Sequence, residues 1–234
     1  MRKLLLAAFW LGALAPLCAA EEKKDETKKP SGPDRFESSI QAFEKKDKES
    51  PPPADPVLLV GSSSFTMWRS APEDLKPFPV INRGFGGSTL KDVLHYFDRV
   101  VLPYKPLLIL LYEGDNDMAG HKDPEKFLAD VKTFVERVKK DLPRTPILIL
   151  SIKPSTSRAA IWPKVQEANR LVAEYAKTQK GVETVDVGTV LLGDDGKPRD
   201  ELFLKDKLHM NKDGYRLWIE ILKPRIERML AAAK

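Results

Sequence analysis

The stretch Val57-Leu58-Leu59-Val60-Gly61-Ser62-Ser63-Ser64 joins a run of four apolar residues to a glycine and three consecutive serines. A short apolar run that ends at a glycine is typical of a β-strand buried on both faces. The serines follow the point where this strand ends. Their hydroxyls have two readings, since they can cap a following helix or provide a nucleophile. The triplet leaves both open, and the rest of the chain has to decide.

Apolar runs and helical patterns alternate along the chain. The runs predict strands at residues 57–60, 79–81, 107–111, 147–150 and 182–185. Helical spacing of apolar residues predicts helices at 90–101, 127–138 and 165–175, and a last helix at 217–230 that is kinked or restarted near Pro224. This alternation predicts an α/β fold, a three-layer α/β/α sandwich around a five-stranded parallel sheet.

The N-terminus has the pattern of a secretory signal peptide. Arg2 and Lys3 precede an apolar stretch at residues 4–17, and a small residue, Ala20, offers the exit. We expect cleavage after Ala20 and a secreted or periplasmic protein. The alternative is a lipid anchor on Cys18, which Pro16 and Leu17 disfavour as neighbours.

The segment that follows the signal peptide is charged. Residues 21–34 contain almost no apolar side chains, so we expect a disordered linker there and a single domain at 35–234. Within that domain Phe36, Ile40 and Phe43 recur at helical spacing and predict a short amphipathic helix.

Composition excludes several classes of function. The one cysteine, Cys18, lies in the predicted signal peptide, so the mature chain has neither a disulfide nor a thiol nucleophile. The net charge of +5 is modest, and the lysines are interleaved with acids, so we expect no nucleic-acid partner. No segment after the signal peptide is apolar enough to span a membrane. The sequence leaves the oligomeric state unknown.

Four polar blocks stand out beyond the strands. They read GSSS at 61–64, GFGGS at 84–88, GDND at 114–117 and DKLH at 206–209. Because ligands bind at the carboxyl ends of the strands in open α/β sheets, we expect the blocks on one rim. In type and order they resemble those of the SGNH hydrolases, also called the GDSL esterase and lipase family. The resemblance covers residues 57–215 and implies a flavodoxin-like sandwich.

The resemblance assigns roles position by position. It makes Ser63 the nucleophile, His209 the general base and Asp206 the residue that orients His209. It places the oxyanion hole at the backbone N–H of Ser63, the backbone N–H of Gly87 and the side-chain amide of Asn116. The spacing of Asp206 and His209 also lets the carboxylate reach one ring nitrogen while the other faces the serine.

Several residues keep another interpretation. Ser62 stands where the family usually has an aspartate. Asp206 and Asn211 could instead cap the last helix. Of the other histidines, His95 falls within a predicted helix, and we expect it to be structural and partly exposed. His121 lies in the loop close to the third block and could lie at the edge of the site.

A metal site and an apolar lid are both disfavoured. The four candidate metal ligands match no ligand spacing, and we predict neither a metal nor a cofactor; they are Glu113, Asp115, Asp117 and His121. The aromatic side chains near the blocks are expected in the core or a pocket wall; they are Phe65, Trp68 and Phe85.

Taken together, the blocks predict a secreted serine esterase, a carboxylic ester hydrolase that works through an acyl-enzyme. By family analogy, we expect short acyl groups, above all acetyl, on a carbohydrate substrate. The alternative is a non-hydrolytic glycan-binding or surface protein that retains the hydrolase fold.

Overall fold

The computed structural model describes residues 32–232. The predicted signal peptide and the linker up to residue 31 lie outside the described residues. A short 3-10 helix begins at Pro33, two residues before the predicted domain start. The strands are β1 (Val57–Gly61), β2 (Val80–Gly84), β3 (Leu108–Tyr112), β4 (Ile147–Leu150) and β5 (Val182–Val185).

Helices of very different length connect the strands. The α-helices are α1 (Glu37–Glu49), α2 (Ser63–Thr66), α3 (Ala71–Asp74), α4 (Leu90–His95), α5 (Phe97–Val100), α6 (Asp115–Ala119), α7 (Pro124–Asp141), α8 (Trp162–Lys177) and α9 (Lys212–Ala232). The 3-10 helices are Pro33–Phe36, Leu102–Tyr104, Thr156–Ile161, Thr189–Leu191 and Asp200–Leu202.

The strands form one parallel sheet in the order β2-β1-β3-β4-β5. This is the flavodoxin-like order, so the predicted fold class is confirmed. β1 and β3 are buried along their whole length, as expected of inner strands covered on both faces. The serine triplet follows β1, which lies between β2 and β3.

Two apolar cores lie on opposite faces of the sheet. Side chains of α1, α4, α5, α7 and α8 cover one face, where Ile40 and Phe134 are fully buried. Side chains of α2, α3 and α9 cover the other, where Trp68 stacks on Tyr215 at 5.3 Å between ring centroids. Phe65, Trp68 and Phe85 are all buried, as predicted.

The structure departs from the predicted elements in two helices. The helix predicted over 90–101 is broken at Tyr96, which separates α4 from α5. The last helix was expected to be kinked or restarted near Pro224; α9 continues through that proline as one helix, so it does not restart there. No helix in the described part of the chain is long and apolar enough to cross a membrane.

Candidate active site

The turn after β1 depends on a glycine. Gly61 has φ of +151°, and a Cβ atom there would lie 1.9 Å from the carbonyl oxygen of Tyr112 on β3. No other residue type fits this position without moving the backbone. The close approach lets the chain leave the sheet directly into α2, so the serines lie at the carboxyl end of the sheet.

The three serines have three different environments. Ser62 precedes α2 at the N-cap position, but its hydroxyl is buried and has no hydrogen-bond partner among the described residues. Ser64 is buried as well, and its carbonyl accepts a hydrogen bond from the Tyr215 hydroxyl at 2.8 Å. Ser63 is the first residue of α2 and is partly exposed. Only the Ser63 hydroxyl therefore faces the rim.

His209 lies between Ser63 and Asp206. Its Nε2 is 3.0 Å from Ser63 Oγ, and its Nδ1 is 2.6 Å from Asp206 Oδ2. These distances suit an arrangement in which His209 Nδ1–H donates to the carboxylate and His209 Nε2 accepts from the Ser63 hydroxyl. The structure thus brings together the three residues that the resemblance selected.

Asp206 also folds its own loop. Its Oδ1 accepts the backbone N–H groups of Leu208 and His209, each at 3.0 Å. Partial burial raises the pKa of Asp206, but the hydrogen bonds from the His209 ring and from these two N–H groups outweigh it and bring the pKa to about 2. The spacing of three residues is therefore closed by a side-chain turn rather than by helix geometry.

The capping interpretation holds for one of its two residues. Asn211 Oδ1 accepts the backbone N–H of Asp213 at 2.9 Å and of Gly214 at 3.2 Å, so it caps α9. Asp206 makes its contacts to His209 and Leu208 instead.

The glycine block lies beside the nucleophile. A Cβ atom built on Gly86 would lie 3.9 Å from Ser63 Cβ. Gly87 is exposed and has φ of +86°, and no atom lies within 4 Å of where its Cβ would be. It is therefore the backbone conformation, rather than lack of space, that favours glycine at this position.

The amide of Asn116 is held from both ends. Its Nδ2 donates to the carbonyl of Ser88 at 2.9 Å, and its Oδ1 accepts from Arg158 Nη2 at 3.1 Å. Arg158 also donates to the backbone carbonyl of Asp115. An amide nitrogen has two hydrogens, so the second one is available for an oxyanion.

Arg158 is a site residue that sequence reasoning missed. It lies in the 3-10 helix before α8, outside all four blocks, and 42 positions from Asn116. No motif in the sequence indicates Arg158. It contacts Asn116 because the chain after β4 passes close to α6.

The acids of the third block are paired with protein groups. Asp115 accepts from Lys153 Nζ at 2.8 Å and from the Tyr112 hydroxyl at 2.7 Å. Burial raises the pKa of Asp115, but Lys153 outweighs it and lowers the pKa. Asp117 binds Lys122 at 2.6 Å, although burial keeps the pKa of Asp117 above its ordinary value. Each acid is thus paired with a lysine within the protein.

Glu113 is the third buried acid. Its Oε1 accepts from the Ser88 hydroxyl at 2.6 Å, whereas Oε2 has no partner among the residues described. Burial, reinforced by the charge of Asp117, raises the pKa of Glu113 well above its ordinary value.

The two remaining histidines make no contact with Ser63, Asp206 or His209 among the described residues. His95 is half-exposed at the end of α4 and packs edge-on against Tyr96 at 4.7 Å between ring centroids, which fits the predicted structural role. His121 is exposed in the loop after α6, with φ of +64°.

The sequence model of the GDSL-like Lipase/Acylhydrolase family matches residues 58–217 of the chain. The chain belongs to this family. The match spans all four blocks, from the second residue of β1 into α9. No curated protein matches the chain in sequence.

Solved structures share the fold at low sequence identity. A GDSL-like lipase from Bacteroides thetaiotaomicron is 22% identical, has a TM-score of 0.71, and covers 82% of this chain and 98% of its own. A carbohydrate esterase family 3 protein from Talaromyces cellulolyticus is 15% identical, with a TM-score of 0.60 and coverage of 77% and 99%. An acetyl xylan esterase from Geobacillus stearothermophilus is 14% identical, with a TM-score of 0.58 and coverage of 76% and 95%.

Proposed function

We propose that this hydrolase is a secreted serine esterase that removes short acyl groups, above all acetyl, from carbohydrates. The observation that carries the proposal is the continuous contact from Asp206 through His209 to Ser63, with distances of 2.6 Å and 3.0 Å. A hydroxyl held against an imidazole that is oriented by a carboxylate is the arrangement needed for acyl transfer.

In the first half of the reaction, Ser63 Oγ attacks the ester carbonyl carbon and gives its proton to His209 Nε2. The carbonyl oxygen becomes an oxyanion, which the backbone N–H groups of Ser63 and Gly87 and the amide of Asn116 stabilise. The carbon–oxygen bond to the alcohol then breaks. The alcohol leaves with the proton from His209, and the acyl group remains on Ser63.

In the second half, water replaces the alcohol. His209 takes a proton from the water, whose oxygen attacks the acyl carbon. The tetrahedral intermediate collapses, the bond to Ser63 Oγ breaks, and Ser63 regains its proton from His209. The acid is released, and the protein is back in its starting state. Only the ester and water have been consumed.

The carbohydrate substrate is supported by similarity in fold. Two of the structural neighbours are described as a carbohydrate esterase and an acetyl xylan esterase. Because one fold can carry sites for many substrates, a panel of substrates tests this assignment. The predicted export fits an extracellular polysaccharide.

The test measures hydrolysis of p-nitrophenyl acetate, butyrate and palmitate and of acetylated glycans by the purified mature protein. Ser63→Ala is expected to lose nearly all activity. Ser62→Ala should stay within about threefold of wild type, because the Ser62 hydroxyl makes no hydrogen bond to the described residues that could be lost. Acetate esters should be hydrolysed fastest.

A covalent probe identifies the nucleophile independently. A fluorophosphonate should label Ser63, and peptide mapping locates the label. Glycan binding without hydrolysis would favour the non-hydrolytic alternative, and fastest turnover of palmitate would contradict the short-acyl preference.

A further inference from the structure

One hydrogen bond joins the second block to the residue just before the third block. The Ser88 hydroxyl, in the loop after β2, donates to Glu113 Oε1, directly after β3, at 2.6 Å. Both residues are buried, with exposed fractions of 0% for Ser88 and 3% for Glu113. Because β1 lies between β2 and β3, this bond passes over the end of the strand that leads to Ser63.

Ser88 also contacts a proposed oxyanion donor. Its backbone carbonyl accepts from Asn116 Nδ2 at 2.9 Å. The orientation of this amide decides whether its second hydrogen points toward the substrate. Glu113 is thus two hydrogen bonds away from the Asn116 amide, and it makes no contact with Ser63, His209 or Asp206 among the described residues.

A buried carboxyl costs stability unless it is well partnered, and Glu113 has one partner for two oxygens. Burial, together with the charges of Asp117 and Asp92, raises the pKa of Glu113 well above its ordinary value. Glutamine matches the Glu113 side chain in shape and can accept the same hydrogen bond.

We propose that Glu113 is a positioning residue that acts through Ser88 to hold the Asn116 amide where the oxyanion forms. The inference rests on the proposed esterase function. It assigns to Glu113 an effect on the chemical step rather than on substrate binding, because an oxyanion donor acts mainly in the transition state.

The experiment measures kcat and KM for p-nitrophenyl acetate. Glu113→Ala should lower kcat by about tenfold to a hundredfold, the usual cost of a misplaced catalytic group, with KM within about threefold. Glu113→Gln should retain kcat within about threefold, since the acceptor for Ser88 remains. Ser88→Ala should reproduce the loss, which keeps the test valid even if Glu113→Ala does not fold.

Non-additivity separates positioning from a structural role. Asn116→Ala alone should lower kcat by about a hundredfold to a thousandfold. In that background Glu113→Ala should cost less than about threefold more, because the group that it positions is gone. The matched control is Asp130→Asn, a partly buried acid on α7 that pairs with Lys122 at 2.6 Å and contacts neither Ser88 nor Glu113 among the described residues. It should lower thermal stability and leave kcat within about threefold.

Each outcome decides between the two proposals. Wild-type kcat in Glu113→Ala, failure of glutamine to preserve activity, or the same fold loss with and without Asn116 would overturn the positioning role. If wild type hydrolyses no ester, or if Ser63→Ala stays active, the esterase proposal itself fails.

Discussion

Ser63 differs from its two neighbours in what its hydroxyl can reach. Gly61 turns the chain so sharply that Ser62 and Ser64 are directed into the protein, and only Ser63 projects toward the rim. The 3.0 Å contact to His209 follows from this turn and from the loop that carries His209. A run of three serines thus contains one hydroxyl that contacts His209, and backbone geometry determines which one it is.

The contact of the Asp206 carboxylate with His209 leads to a prediction about the rate of hydrolysis. Asp206→Asn should slow hydrolysis by about a hundredfold or more, because an amide can hold the His209 ring in the wrong tautomer. The loss should occur at every pH, since wild-type Asp206 has a pKa of about 2 and stays ionised well above it. The measurement is a pH profile of kcat/KM for both proteins.

The low pKa of Asp206 also sets a pH dependence of stability. Because the folded-state pKa of Asp206 lies below the ordinary 3.8, its ionised form stabilises the fold above that value, and the contribution is lost as pH falls toward about 2. Asp206→Asn lacks this contribution, so the difference in unfolding free energy between wild type and variant should shrink as pH falls toward about 2. A difference that stays constant over that range would contradict the role of the ionised carboxylate.

Sequence motifs could identify Ser63, Asp206 and His209, but they could not identify the contacts that position Asn116. Asp206 and His209 are three residues apart, so a local pattern is enough to pair them. The contact of Arg158 with Asn116 spans 42 positions, and that of Ser88 with Glu113 spans 25. Both depend on how the loops return over the sheet, which no short pattern records.

At the scale of elements, α1 is attached to the domain by both apolar and charged contacts. Ile40 is fully buried against the sheet, and the ring of Phe36 packs on Phe85 of the second block at 5.1 Å between centroids. Arg99 binds Glu37 at 2.8 Å and Glu44 at 2.6 Å. The helix therefore supports one side of the candidate active site from beneath.

Truncation of the apolar contact gives a prediction for stability. Ile40→Ala should lower the free energy of unfolding by about 2–5 kcal/mol, the usual cost of a cavity at a fully buried position. The control is Lys45→Ala on the exposed side of α1, where the ion pair with Glu49 is 3.9 Å long and should matter by less than about 0.5 kcal/mol. Denaturant unfolding measures both, and equal stability of the two variants would show that α1 is not part of the cooperative core.

Element identity was predictable, but element ends were not. All five strands were predicted, because continuous apolar runs are distinctive in a sheet covered on both faces. β2 extends to Gly84, in the second block, and β3 extends to Tyr112, because the pairing of both strands with β1 continues past their predicted ends. The break at Tyr96 is invisible to periodicity, since apolar residues keep helical spacing across it.

At the scale of the whole molecule, core and candidate site are separated. The two cores lie on the faces of the sheet, while the blocks occupy the loops at its carboxyl end. A polar group placed there does not have to be buried among apolar side chains, so the loops can carry chemistry without weakening the packing. Glu113, Asp115 and Asp117 are exceptions, because they are buried beneath the rim.

The last prediction concerns the route by which the chain reaches this state. Expressed in a secreting bacterial host, the protein should be cut after Ala20, so that its mass corresponds to a chain beginning at Glu21 without a lipid. The cut lies upstream of Pro33, where the first helix begins, so all the contacts described above stay intact. The control is Cys18→Ser, which should be processed like wild type. Intact mass spectrometry distinguishes the routes, since a diacylated Cys18, or a precursor that accumulates only in Cys18→Ser, would identify a lipoprotein instead.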